Sequence, residues 1–170
     1  MNSEQFTQFI EHYQRPLLSV VYKMVHSWEP AKDIVQEAFV RIWEKYKSIK
    51  DEDRSFYLLY RIAMNLSIDY LRKSKNETDD IETKLNIIYE APKDSKELFE
   101  IILQCASQLK PKQKAAFILR DIEGFDFSEI SDVLKTSVEN IRSNLSLARK
   151  NIKNKLVSRY EITEEFFYEL

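Results

Sequence analysis

Glycine is almost missing: Gly124 is the only one among 170 residues, and proline occurs four times. With so little turn chemistry, and few runs that alternate polar and apolar residues, strands are not expected and an all-α chain is. The single cysteine, Cys105, excludes an intramolecular disulfide and fits a reducing, cytoplasmic setting. No stretch reaches the roughly 18 apolar residues of a membrane span, so no membrane insertion is expected. The opening MNSEQFTQFI has neither the basic start nor the apolar run of a secretory signal. His12 and His26 lie far apart and accompany no cysteine pair, which argues against a metal site. Without a phosphate-cradling glycine loop or a nucleophile–base constellation, no cofactor, no small-molecule substrate and no enzyme activity are expected.

What is present is apolar residues, 44% of the chain, and charge of both signs. The length suits one domain or two small ones. The net charge of −2 hides an uneven distribution. Residues 74–108 carry four Lys/Arg against eight Asp/Glu, whereas residues 135–159 carry seven against Glu139 alone. Phosphate neutralisation is local, so a local basic patch matters more than the total.

Apolar residues recur at helical spacing from 5 to 25, with Pro16 as a candidate bend. Pro30 opens a second helix that runs to about Tyr46. A third spans about Ser55 to Lys73, with Leu59, Ile62, Ala63, Leu66 and Tyr70 facing inward. A polar, acidic stretch containing Pro92 comes next and reads as a linker, with a short helix at Ile81–Tyr89. The pattern resumes over Leu98–Leu109. Pro111 opens the next helix, which Gly124 ends. DFSE, from Asp126 to Glu129, has the form of a capping box for a helix ending near Leu134. Ser137 caps the last helix, which runs to about Leu156. The boundaries are then 1–74 and 97–157 for two helical domains, 75–96 for the linker and 158–170 for an acidic aromatic tail.

The stretch ISDVLKTSVENIRSNL, Ile130 to Leu145, outlines a helix-turn-helix whose turn has Lys135 in place of a glycine. Lys135 in the left-handed region would cost about 1 kcal/mol relative to glycine, and a different turn geometry would avoid that. On the second helix Val138, Ile141, Leu145, Ala148 and Ile152 form one apolar stripe. Glu139, Ser143, Ser146 and Lys150 fall opposite, with Asn140, Arg142, Arg149 and Lys153 alongside. That layout suits a helix that reads base edges with its first turns and holds phosphates further along. It suits equally a packed helix with a solvated basic face.

The second helix contains DIVQEAFVRIWEKY, whose outward face holds Asp33, Gln36, Glu37, Val40, Arg41 and Glu44 beside Trp43. An apolar Val40 among polar groups is either a protein interface or a stray. The third, SFYLLYRIAMNLSIDYLRK, sets Arg61, Asn65, Ile68 and Arg72 on one face, with Phe56, Tyr57 and Tyr60 at its start. Aromatic residues beside basic ones bind unstacked bases, or else belong to a core.

These three stretches in this order, with LKPKQKAAFILRDIEGFDFSEISDVLKTSVENIRSNLSLARKNIKNKL as the last, resemble the bacterial extracytoplasmic-function sigma factors over about residues 6–156. The resemblance implies two small helical domains, sigma regions 2 and 4, joined by a flexible linker, without catalytic chemistry. It implies an alternative sigma factor that takes core RNA polymerase to promoters. Asp33, Gln36, Glu37, Val40 and Trp43 would meet the clamp helices of the β′ subunit, and region 4 the β flap. Phe56, Arg61, Asn65, Arg72 and Lys73 would serve the −10 element, opened with a base flipped out. Ser137, Glu139, Asn140, Arg142, Ser143, Asn144, Arg149 and Lys150 would serve the −35 element as duplex. An anti-sigma factor is the expected regulator. Lys135 in the turn, Glu139 in place of a small residue and Asn144 in place of an Arg depart from the family pattern and bear on which −35 sequence is read. A stand-alone helix-turn-helix regulator and an interaction protein with no DNA role are the competing readings. A dimeric regulator needs neither an aromatic–basic third helix nor the Val40–Trp43 surface.

Overall fold

In a computed structural model, residues 3–46, 52–77, 90 and 92–160 are described. Among these residues seven α-helices occur in chain order: α1 (Ser3–Val25), α2 (Trp28–Tyr46), α3 (Glu52–Glu77), α4 (Ser95–Ser107), α5 (Pro111–Phe117), α6 (Phe127–Leu134) and α7 (Val138–Arg159). There is no strand among the described residues. The short helix expected at 81–89 and the tail from 161 onward lie outside them.

The first three helices pack on one another around Leu17, Val21, Met24, Ala38, Ile42, Leu59, Ala63 and Met64. Each presents one apolar stripe, so three stripes close a core and leave the polar faces to water. Helix α1 runs through Pro16 rather than ending there. Trp28 stacks on Tyr22 at 4.0 Å and ties the start of α2 to the end of α1. Helices α4 to α7 form the second core, with Ile118, Leu119, Ile130, Ile141, Ala148 and Leu156 inside, and Cys105 buried among them.

The helix expected to run unbroken from Pro111 to Gly124 changes pitch. Beyond Phe117 the chain widens into one π turn, Ile118–Ile122, with Glu123 N–H donating to Ile118 O at 2.9 Å. Gly124 then takes φ 77°, and Phe125 N–H returns to Leu119 O at 2.9 Å. A π turn adds a residue without ending the helix, which re-aims the chain beyond it. With one glycine available, two other left-handed positions fall to His26 (φ 57°) and Lys135 (φ 49°).

The two cores are joined. Helix α3 packs on α5 and α6 of the second half. Ile68 therefore lies buried, although the sequence places it on an outward face with Arg61, Asn65 and Arg72. The rest of α3 matches its expected stripe, with Leu59, Ile62 and Ala63 buried and Leu66 and Tyr70 half-buried.

Lys114 on α5 is 1% exposed, and burial lowers its pKa from 10.5 to about 8. Between those values the unfolded chain binds the proton more tightly than the folded one, so stability rises with pH across that window. Burial pushes Cys105 up from 9.0 and Tyr60 up from 10.0 to about 12, which acts the other way at higher pH. Urea unfolding at pH 7 and at pH 9 should therefore show a gain of about 1 kcal/mol, absent in Lys114→Met, which should also be more stable than the wild type at pH 7. An unchanged pH profile in the variant would rule out Lys114 as the source.

Candidate functional site

Helix α6 starts on a complete capping box. Asp126 Oδ1 accepts from Glu129 N–H at 2.8 Å, and Glu129 Oε2 accepts from Asp126 N–H at 2.8 Å. It ends on Lys135 in the left-handed region, φ 49° and ψ 50°. Ser131 Oγ donates to Thr136 O at 2.7 Å and closes the turn. Ser137 caps α7 by accepting from Asn140 N–H at 3.3 Å. A serine clamp and two caps thus hold a helix-turn-helix where the turn lacks glycine.

The exposed face of α7 carries Glu139, Asn140, Arg142, Ser143, Arg149 and Lys150. Several of these side chains are already anchored. Asn140 Nδ2 donates to Thr136 Oγ1 at 3.3 Å, and Asn144 Nδ2 to Asn140 O at 2.8 Å. The Glu139 carboxyl is held below its usual range, first by its own backbone N–H and then by the Ser137 hydroxyl and Arg142. It stays ionised at the positive end of the helix. The Arg142 guanidinium sits 5.1 Å from the centre of the Phe127 ring, which Arg120 also approaches at 4.8 Å. Arg149 makes a bidentate pair with Asp121 at 2.9 and 2.7 Å, which raises its pKa further.

The start of α3 holds an aromatic cluster. Phe56 lies 5.4 Å from Tyr13, 4.5 Å from Tyr60 and 6.0 Å from Phe125, which itself lies 5.4 Å from Tyr60. Arg61 Nε donates to Asp132 O at 3.1 Å, and Tyr57 OH to Glu129 Oε1 at 3.1 Å. Lys23 and Glu123 close the seam at 2.6 Å, both side chains about a fifth exposed. Asn65 and Arg72 line a polar crevice of about 720 Å³ together with Asn140 and Asn144 of the other half, while Lys73 is exposed beside it in sequence.

On α2, Asp33, Gln36 and Glu37 are exposed, with Glu37 paired to Arg41 at 2.7 Å. Val40 is 49% and Trp43 40% exposed. They rim an apolar groove of about 600 Å³ whose other wall is α1, through Phe6, Ile10 and Leu18. Phe6 and Trp43 rings meet at 4.6 Å.

Sigma-70 region 2 matches residues 9–77, and sigma-70 region 4 matches residues 99–152. The chain is 28% identical over 170 residues to the sigma-E factor of Haemophilus influenzae, covering 91% of this chain and 89% of that one. It is likewise 28% identical to the sigma-E factor of Escherichia coli, over 91% and 88% of the two chains. The chain belongs to the extracytoplasmic-function sigma factors of the sigma-70 family. The fold is shared with the sigma factor RpoE in its complex with the anti-sigma factor NepR from Bartonella quintana, at TM-score 0.69 and 22% identity over 90% of this chain and 97% of that one. It is shared too with CnrH in complex with the cytosolic domain of CnrY, at TM-score 0.66 and 21% identity over 91% and 89%.

The chain is thus an alternative sigma factor that directs promoter recognition, and not an enzyme. No described helix is long and apolar enough to cross a membrane. In this sigma factor α2 and α3 belong to region 2, and α6 and α7 to region 4. Sequence reasoning did not reach the residues that hold its arginines, Asp121 and Phe127, nor the α1 wall of the groove, nor the seam through Lys23, Glu123 and Glu129. Periodicity identifies the buried face of one helix but does not say which helix covers another. Phe127 left a trace, as an aromatic residue inside the capping box.

Lys135→Gly should stabilise the protein by about 1 kcal/mol, since it relieves the left-handed strain that only glycine escapes. Urea unfolding checks this. A loss of stability would mean that the Lys135–Asp132 pair at 3.7 Å outweighs the strain.

Proposed function

We propose that region 2 docks on the β′ clamp helices through Asp33, Gln36, Glu37, Val40 and Trp43, while region 4 meets the β flap. Phe56, Arg61, Asn65, Arg72 and Lys73 serve the −10 element. Ser137 and the first turns of α7, with Glu139, Asn140, Arg142, Ser143 and Asn144, read the −35 element, and Arg149 and Lys150 hold its backbone. The observation that carries this reading is the capped helix-turn-helix of region 4 with its polar face exposed, downstream of an α2 whose Val40 and Trp43 are bared beside a groove. Apolar residues exposed at such a rim suit a protein partner. The protein acts in the cytoplasm, where its polymerase is, and an anti-sigma factor restrains it.

The reading requires the two halves to separate. Elements near −10 and −35 lie roughly 25 base pairs apart, about 85 Å along B-form DNA. Yet Asn65 and Arg72 share one crevice with Asn140 and Asn144. Seventeen residues separate Glu77 from Ser95, and fully extended they reach about 60 Å, enough for region 4 to move away.

Reconstituted with core polymerase, the protein should redirect start sites to a defined promoter set. No complex and no new start site would end the proposal, and a footprint without polymerase would favour a stand-alone regulator. Arg142→Ala should weaken −35-dependent initiation by about 1–3 kcal/mol if the guanidinium meets a base, and less if it meets phosphate. Asn65→Ala should change the −10 preference in a promoter library while polymerase affinity stays the same. Lost polymerase binding would mean that α3 forms the interface instead.

A further inference from the structure

The polar crevice gathers more positive charge than the proposed promoter contacts use. Arg41 of α2, Arg72 of α3, Lys112 of α5 and Lys135 of the turn line it, against one lining carboxylate, Asp69. Arg41, Lys112 and Lys135 have no part in the proposed −10 and −35 contacts. Their donors are largely uncommitted. Lys112 is exposed and has no carboxylate within ion-pair distance among the described residues. Asp69 and Asp132 stand 3.8 and 3.7 Å from Arg72 and Lys135, too far for hydrogen bonds. Glu37 holds Arg41 through Nε, which leaves the two terminal nitrogens for another acceptor. Asn65, Asn140 and Asn144 add amide groups, and the last two each keep a second amide hydrogen beyond the bond already made. Beneath these polar groups Ile68, Ala116 and Ile141 are buried and form an apolar floor.

We infer that this crevice binds a small molecule carrying several phosphate groups, held by region 2 on one side and region 4 on the other. A lining rich in donors, with one carboxylate, suits a ligand made of acceptor oxygens. Arginine forks and lysine ammoniums are the side chains that hold phosphate. The volume of about 720 Å³ is far more than a single phosphate fills. It falls within the roughly 300–1,000 Å³ of small-molecule pockets, which favour domain interfaces. Nucleoside polyphosphates and inorganic polyphosphate share the recognised chemistry, and only the nucleoside would use the apolar floor. The site stands on these residues alone. One consequence rests on the proposed promoter contacts: Asn65, Arg72, Asn140 and Asn144 would then serve ligand and DNA alike, so each weakens the binding of the other by the same factor.

The test is calorimetric titration of the full chain, without polymerase, at about 0.15 M salt. The probes are ATP, GTP and sodium tripolyphosphate, with guanosine as the uncharged control. The phosphorylated probes should bind saturably, one per chain, and guanosine should not. Tighter binding of the nucleotides than of tripolyphosphate assigns the floor to a base, and equal binding assigns the site to the phosphate chain; either result supports it. Lys112→Glu, in region 4, and Arg72→Gln, in region 2, should each weaken binding about tenfold. Lys96→Glu makes the same charge change on the exposed side of α4, outside the crevice, and should leave binding as it was. Thermal melts followed by circular dichroism check that each variant folds. Absence of saturable binding overturns the site. So does an equal loss in Lys96→Glu and Lys112→Glu, which is general charge attraction, or a loss confined to one of the two regions. Phosphate binding absent while the polymerase is still redirected to new start sites ends the site and leaves the promoter reading standing. Phosphate binding intact with no redirected start site does the reverse.

Discussion

Between the two halves runs a seam in which Arg61 donates to the Asp132 carbonyl, Tyr57 to Glu129, and Phe125 enters the aromatic cluster of Phe56 and Tyr60. The arrangement of the two halves depends on it. It turns two small bundles, each of which would be marginal alone, into one body. It buries Ile68 on a helix face that would otherwise be wet. It brings Asn65 and Arg72 of region 2 into one crevice with Asn140 and Asn144 of region 4. Net hydrogen bonds are worth about 0.5–1.5 kcal/mol and aromatic pairs about as much, so the seam is strong enough to hold and weak enough to be opened by a partner that binds only the separated halves.

The near absence of glycine shapes the rest. Helix ends and turns ordinarily use glycine to reach the left-handed region, and here His26 and Lys135 do so at a cost. The helix-turn-helix meets that cost with local hydrogen bonds: the reciprocal Asp126–Glu129 box, the Ser131 clamp on Thr136 and the Ser137 cap. Glu129 serves twice, capping α6 with one oxygen and accepting from Tyr57 with the other. The one glycine stands where the π turn ends, the point at which the chain must swing from α5 toward the reading unit.

Electrostatics on α7 show the same economy. Arg149 is held by two hydrogen bonds to Asp121, and Arg142 by the face of Phe127. Glu139 lies at the positive end of α7 and remains charged. These anchors come from the π turn and from α6, so the arrangement of the exposed face of α7 depends on the rest of region 4.

How much of this was legible in the sequence depends on the range of the interaction. Helix existence, capping boxes and buried stripes are set by residues three or four apart, and DFSE, Ser137 and the stripe from Ile141 to Ile152 could be read directly. So could the family, because three motifs in order fix two domains and their sequence. The pairing of arginines with Asp121 and Phe127 could not, since nothing local links positions 121 and 149. The groove between α1 and α2 needed two helices in register. The sequence by itself determined an all-α sigma factor with a reading helix and an aromatic–basic α3. Only the tertiary structure decided that α3 faces region 4 rather than water, because amphipathicity states how much apolar surface a helix must hide and leaves open what hides it.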